Sequence, residues 1–347
     1  MNRITPDHSP HKFIAHQVKC KFWKLRIGSL FLFLLFFPGT GCIAQQPKLL
    51  ALSKGDHTLA IVDPAMLKVI TRVPVGSDPH EVIASSDGKT AYVSIYGGGS
   101  LHEINVIDLV TQKPLFNIDT RPLFGPHGLA FADGKIWFSA EGSKSVGRYD
   151  PQTKKLDWCM GTGQDRTHMI YVTPDGQKVY TTNVNSGSVS LLTAGTRQEW
   201  TQTVIPVSKG SEGFDVSPDG KQLWTASADD GSIAIIDLAA QKVVAKIDTK
   251  ILGANRLKFT PDGKRVLVSS LGAGNLYVFD VVSHKELKQI NIGHGGAGIL
   301  ITPNGSRAFV GCTPDNYVAV IDLKTLEVIA HIDVGSNPDG LAWAVTY

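Results

Sequence analysis

Cysteine, a basic excess and long apolar runs are all scarce in this chain of 347 residues, and each shortage excludes something. Four cysteines over this length cannot build a disulfide scaffold. The longest apolar run, IGSLFLFLLFF at 27–37, falls short of the roughly 20 residues that a membrane-spanning helix needs. No His-Glu-x-x-His, Cys-x-x-Cys or Gly-x-Ser-x-Gly occurs, so the common zinc-protease, thiol-redox and serine-hydrolase signatures are missing. Glycine is plentiful, but its clusters sit in hairpin loops and form no strand–loop–helix phosphate cradle. Beyond residue 44 there are 28 basic and 30 acidic side chains, a net charge of −2. No basic face is available for sequence-independent binding to nucleic acid, and none is expected as a partner.

The first 44 residues carry the basic surplus, with six Lys/Arg against one Asp. Lys19, Lys21, Lys24 and Arg26 precede the short apolar run, and Pro38 and the small residues of GTGC follow it. That order marks an export signal. It is similar to a bacterial lipoprotein signal, which implies a lipid on Cys42 as the membrane anchor. Cleavage between Ala44 and Gln45 is the alternative. Both give an exported protein, the first lipid-anchored in the periplasm or at the cell surface and the second secreted, and it meets a membrane only through a lipid. Of the remaining cysteines, Cys159 and Cys312 lie too far apart in the repeat order for a disulfide and are expected as small buried hydrophobes.

What the chain has in abundance is a repeat. Asp-Gly or Asn-Gly recurs at 87–88, 133–134, 175–176, 219–220, 262–263 and 304–305, at spacings of 42 to 46 residues. Each pair stands between two β-type runs, as in GFDVS and QLWTAS, and favours a tight hairpin turn. A third strand follows, typically ending in aspartate (INVID, IAIID, LYVFD, VAVID), and then a fourth. Four strands in about 43 residues, repeated, describe the blade of a β-propeller. The aspartates Asp63, Asp108, Asp150, Asp237, Asp280 and Asp322 are expected to bond turn amides rather than to form catalytic pairs. Trp137 and Trp224, at equivalent second-strand positions, are expected in the core between blades.

Six complete units run from His80 to Pro338. Residues 49–76 supply three strands without an innermost one, and DGLAWAV at the C-terminus is an innermost strand without a blade. Joined, they make a seventh blade and close the ring. The expectation is an all-β, seven-bladed propeller over 45–347, with four-stranded blades, behind a signal at 1–44.

VSPDGKQLWTASADDGSIAIIDLAAQKVVAKI resembles the repeat of the YVTN-type β-propellers. GPHGLAFADGKIWFSAEGSKSVGRYDPQTKKL is closer to the repeat of virginiamycin B lyase and gluconolactonase-like propellers, over one blade. The resemblance implies the fold, and a range of roles that runs from surface binding proteins to lactonase-like enzymes.

In a propeller the first strand of each blade lines the axial channel. Counting seven residues back from each Asp-Gly or Asn-Gly gives His80, His168, Glu212, Asn255 and Ala297, and six back in the third unit gives His127. NPDGLAW aligned on DPHEVIA adds Asp339. The rim then reads Asp339, His80, His127, His168, Glu212, Asn255, Ala297, three adjacent histidines in a ring that is otherwise mostly polar. Loops expected at the same rim carry Tyr96, His102, Glu141, Asn183, Asn185 and Asp229, with Arg166, Arg256 and His294 beside it.

Two functions fit. One is a binding or scaffold protein that presents the rim to a small molecule, glycan or protein through His80, Glu212, Arg256, Asp339 and Asn255. The other is a metal-assisted lactonase or lyase with His127 and His168 catalytic. His80, His127, His168 and Glu212 are a ligand set for a first-row divalent metal ion, the one cofactor expected. The rim histidines are expected to be open to solvent.

Overall fold

The computed structural model describes residues 46–197 and 199–346; Cys42 and the rest of the expected signal at 1–44 lie outside them. The described chain forms seven four-stranded antiparallel sheets, the blades of a propeller. Blade 1 joins Pro338–Thr346 to Gln46–Ser53, Thr58–Asp63 and Lys68–Pro74. Blades 2 to 7 are consecutive quartets whose innermost strands are Pro79–Ala84, Pro126–Ala132, Thr167–Val172, Ser211–Val216, Ala254–Phe259 and Gly296–Ile301. Among the described residues the helical segments are single 3₁₀ turns, at Gly97–Gly99, Glu141–Ser143 and Thr313–Asp315.

The ring closes as the orphan strands require. Leu49 pairs with Trp343, Leu50 with Ala342 and Ala51 with Leu341. Second and third strands are buried on both faces, because a neighbouring blade covers each face; TAYVSI and EINVID in blade 2 show it. Outer strands alternate exposed and half-buried residues, as in KVITRVP. The core is therefore a set of layers between blades. Trp137 sits between blades 3 and 4 with Val146, Ile170 and Leu192, and Trp224 between blades 5 and 6 with Phe259 and Phe279.

The turns behave as their sequences dictate. Asp87 Oδ1 accepts from the Ser85 hydroxyl at 2.6 Å and from Lys89 N–H at 3.1 Å, and Gly88 takes φ of 67°. In blade 3 the turn tightens to Asp133-Gly134, both at positive φ, with Ala132 facing Lys135. That shorter turn is why the interval there is six residues and not seven. The third-strand aspartates serve turns: Asp63 Oδ1 accepts from the amides of Ala65 and Met66, and Asp322 Oδ1 from those of Lys324 and Thr325. Both described cysteines are free, but only Cys312 is buried. Cys159 is exposed on an outer strand whose side chains alternate outward, which corrects the expectation of burial.

Candidate functional site

Each inner strand contains one extra residue where it enters the channel. In blade 2, Pro79 pairs with Ile95 and Val82 with Val93, so three steps of the inner strand match two of its neighbour. The same bulge recurs at Pro126/Leu129, Thr167/Ile170, Ser211/Phe214, Ala254/Leu257 and Gly296/Ile299. A bulge releases two consecutive residues from the ladder and re-aims their side chains. In blades 2 and 6 both released residues, His80-Glu81 and Asn255-Arg256, join one polar network.

Second-strand hydroxyls fasten these bulges to the next blade. Ser94 Oγ accepts from Glu81 N–H at 3.0 Å and donates to the carbonyl of His127 at 2.8 Å. Ser139 links Gly128 to the His168 carbonyl, Thr182 links Met169 to the Glu212 carbonyl, and Ser269 links Arg256 to the Ala297 carbonyl. Orphan backbone groups of the bulge are thereby satisfied, and the rim positions are held in register. Gly128 adds close approach, because a Cβ there would lie 2.8 Å from the His168 carbonyl.

The three histidines converge. His127 Nε2 lies 3.0 Å from His80 Nδ1, and the rings of His127 and His168 stand 3.8 Å apart between centroids at 34°. They are not open to solvent: His127 is 1 % exposed and His168 2 %. The expectation of exposed rim rings is corrected, because the glycine and hydroxyl contacts draw the blades together at this end. His168 Nδ1 is 2.9 Å from Glu141 Oε2, and its Nε2 is 2.9 Å from Glu212 Oε1. Glu141 also takes Arg166 Nε at 3.0 Å, and Glu212 takes the Asn255 amide at 3.0 Å. On the other side, His80 Nε2 meets Lys54 Nζ at 2.9 Å and Asp78 Oδ1 at 3.0 Å. Across the axis Arg256 donates to Glu81 at 2.6 Å.

Charge states follow from these contacts. Burial, together with the neighbouring His168 and His80, pushes His127 well below the usual histidine range. Burial also lowers His80, against the pull of Asp339. For His168 burial is outweighed by its hydrogen bond to Glu141 and by the Glu212 carboxylate close to its Nε2, and its value is raised. Glu212 overcomes its own burial through His168 and Arg256 and falls to about 2. Burial raises Asp339 despite Arg256. The wall thus holds a neutral His127 stacked on a His168 that favours its charged form. His127 Nδ1 is a buried polar atom without a hydrogen-bond partner.

These groups line a cavity of about 370 Å³ at the channel mouth, with Lys54, Tyr96, Arg166, Thr313 and Asn337 among its walls. All seven counted rim positions border it, Ala297 included. Of the loop residues, Tyr96 lines the cavity and Glu141 reaches His168. His102 instead pairs with Asp119, Asn183 bonds Ser188 and Ser190 inside blade 4, Asn185 bonds Asp165, Asp229 packs on Gly210, and His294 pairs with Asp315. Lys54, Asp78 and Glu81 were not anticipated. Lys54 and Asp78 come from loops without a repeat signal, and Glu81 faces inward only because of the bulge. The closest metal-type grouping is His127, Glu141 and His168, whose donor atoms lie within 4.8 Å of one another. Glu141 thus stands in that group where the sequence suggested His80 and Glu212.

The fold is a seven-bladed propeller with a histidine–carboxylate cavity at one mouth of its channel, lined by side chains at the inner-strand bulges. The model of the family described as Lactonase, 7-bladed beta-propeller, matches residues 138–340, and the chain belongs to that family. Its fold is similar to a putative 6-phosphogluconolactonase from Bacteroides uniformis, at 14 % identity over 86 % of this chain and 99 % of that one, with a TM-score of 0.73. A putative 6-phosphogluconolactonase from Bacteroides fragilis gives 16 %, 86 %, 98 % and 0.70. Hydrazine synthase from Kuenenia stuttgartiensis gives 20 %, 76 %, 89 % and 0.66. At such identities the likeness is one of fold. No curated protein matches the chain.

Proposed function

We propose that this protein hydrolyses a lactone in the cavity at the channel mouth. The observation that carries the reading is His127, a buried, neutral imidazole in the cavity wall with an unpartnered Nδ1. Family membership supports the choice of lactones over other esters. A neutral imidazole can take a proton from water as the water oxygen bonds to the lactone carbonyl carbon. The Tyr96 hydroxyl, kept protonated by burial and by Glu141, supplies a donor for the developing oxyanion. Collapse breaks the acyl–oxygen bond, and the ring oxygen takes the proton back from His127. The product is one hydroxy acid per lactone and water consumed. His168, set against His127 and held toward its charged form by Glu141 and Glu212, disfavours a second cation there, so the borrowed proton is returned readily.

A second reading, metal-assisted hydrolysis, is favoured by the compact His127–Glu141–His168 group. A divalent cation there would take the place of the His168 proton and polarise the carbonyl. Acid release from γ- and δ-lactones, followed at constant pH before and after chelation, tests both. Hydrolysis that survives chelation and disappears in His127→Ala supports the first, and hydrolysis restored by zinc or manganese supports the second. Saturable ligand binding without acid release would instead favour a binding protein that offers its rim to a small molecule, glycan or protein. The YVTN-type assignment of the repeats belongs to this proposal. So does export: the leader supports a lipid-anchored periplasmic or surface protein, and Cys42→Ser is expected to move it from the membrane to the soluble fraction.

A further inference from the structure

The cations of the cavity are already neutralised. Lys54 Nζ lies 3.4 Å from Asp78 and 3.6 Å from Asp339. Arg166 is 3.0 Å from Glu141 and 3.7 Å from Glu212. Arg256, buried, spends its charge on Glu81 at 2.6 Å, and His168 is flanked by two carboxylates at 2.9 Å each. These four cationic groups face five carboxylates in the same pairs. A phosphate carries three acceptor oxygens and close to two negative charges, and recognition calls for a cation or backbone donors left free for it. Here each cation would have to leave its carboxylate, and the carboxylate would then face the ligand's own charge.

From this we infer that the cavity accepts an uncharged, hydroxylated lactone and discriminates against a phosphorylated one. The inference rests on the lactone reading above, and it separates this chain from the activity named for its Bacteroides structural neighbours. Asp339 supports it, since its Oδ2 lies 3.6 Å from Lys54 Nζ and 3.6 Å from the His80 ring, and so it retains oxygens for ligand hydroxyls. Asn337 and Asn255 add uncharged amides to the wall.

The test uses binding, so that it does not depend on turnover. Calorimetry with the whole protein compares gluconolactam, an uncharged ring that resists hydrolysis, with its 6-phosphate. The expected result is weaker binding of the phosphate by at least about tenfold, the cost of one unpaired charge-assisted contact. Glu81→Gln, which frees Arg256, should shift the ratio of the two affinities about tenfold toward the phosphorylated ligand. If burial of an unpaired Arg256 unfolds that variant, Asp78→Asn at the more exposed Lys54 pair serves the same purpose, with a shift in the same direction. Equal or tighter binding of the phosphate by the unmodified protein overturns the inference, and so does failure of either ligand to bind. In that last case the hydrolysis proposal still stands or falls on acid release from simple lactones.

Discussion

Two arcs of the same ring share a backbone and differ in chemistry. In blades 2 to 4 the bulge presents His80, His127 and His168 ring against ring, His127 and His168 buried and His80 partly so, with carboxylates on either side. In blade 7 the same bulge, between Gly296 and Ile299, presents Ala297 beside Gly298. The second-strand residue opposite is a hydroxyl in blades 2, 3 and 4 and Gly311 in blade 7. The scaffold therefore fixes where a side chain stands, and the residue type alone decides whether that place is reactive. Binding and catalysis on propellers can diverge in this way without moving a strand.

The comparison would break most visibly if the ring did not need to be closed. Removing Pro338–Thr346 deletes the inner strand of blade 1 and exposes the edge of Gln46–Ser53. The expected outcome is loss of a cooperative thermal transition for both arcs together; a truncated protein that melts like the full chain would refute closure. Next in size is His127→Ala, expected to lower lactone hydrolysis by about a hundredfold or more. Ala297→Ser on the silent arc should leave the rate within about twofold, because Ala297 borders the cavity from blade 7 and not among the reacting groups of blades 3 and 4. Equal losses in the two variants would show that position alone, not histidine, matters.

A pH series sharpens the contrast. Glu212 is depressed from 4.5 to about 2, so its stabilisation is present above pH 4.5 and lost as pH falls toward 2. His168 is raised above 6.5, so its share is present below pH 6.5 and lost as pH rises through its folded value. The difference in Tm between the chelated wild type and Glu212→Gln should be largest between pH 4.5 and 6.5 and shrink on both sides. A flat difference would mean that the His168–Glu212 pair does not form. A modest loss of stability is expected from Ser94→Ala, at about 1 kcal/mol for a buried hydroxyl bridging two backbone groups. Denaturant unfolding measures it, and no change would remove the hydroxyl link from the account of how blades 2 and 3 are joined.

Much of this was legible in residues. The Asp-Gly period and the unmatched strands at the two ends give seven blades; counting back from each turn reaches six rim positions, and aligning NPDGLAW on DPHEVIA adds Asp339. The counting succeeds because turn and rim lie at opposite ends of one short strand. It fails one residue further on, since a bulge breaks the alternation of faces and Glu81 turns inward where a regular strand would turn it away. Burial was misjudged for a related reason: His127 and His168 look like residues of a wet channel until Gly128 lets their backbones close up. Glu141 sits on a 3₁₀ turn, and nothing in its local sequence says that it reaches His168 instead of solvent.

The residue after each rim position is glycine in blades 1, 3, 5 and 7 (Gly340, Gly128, Gly213, Gly298) and larger in blades 2, 4 and 6 (Glu81, Met169, Arg256). A Cβ on Gly340, Gly128 or Gly213 would strike the backbone of the next inner strand, so slim and bulky blades alternate. An even ring could alternate throughout, whereas an odd one must fail once. Seven blades place that parity defect between Gly298 and Gly340, where a Cβ on Gly298 would lie 2.2 Å from the Asp339 carbonyl. The mismatch thus falls at the blade that the two chain ends complete together. A circular permutant opened at any other loop would carry the defect unchanged, fixed by the count of blades and not by where the chain starts.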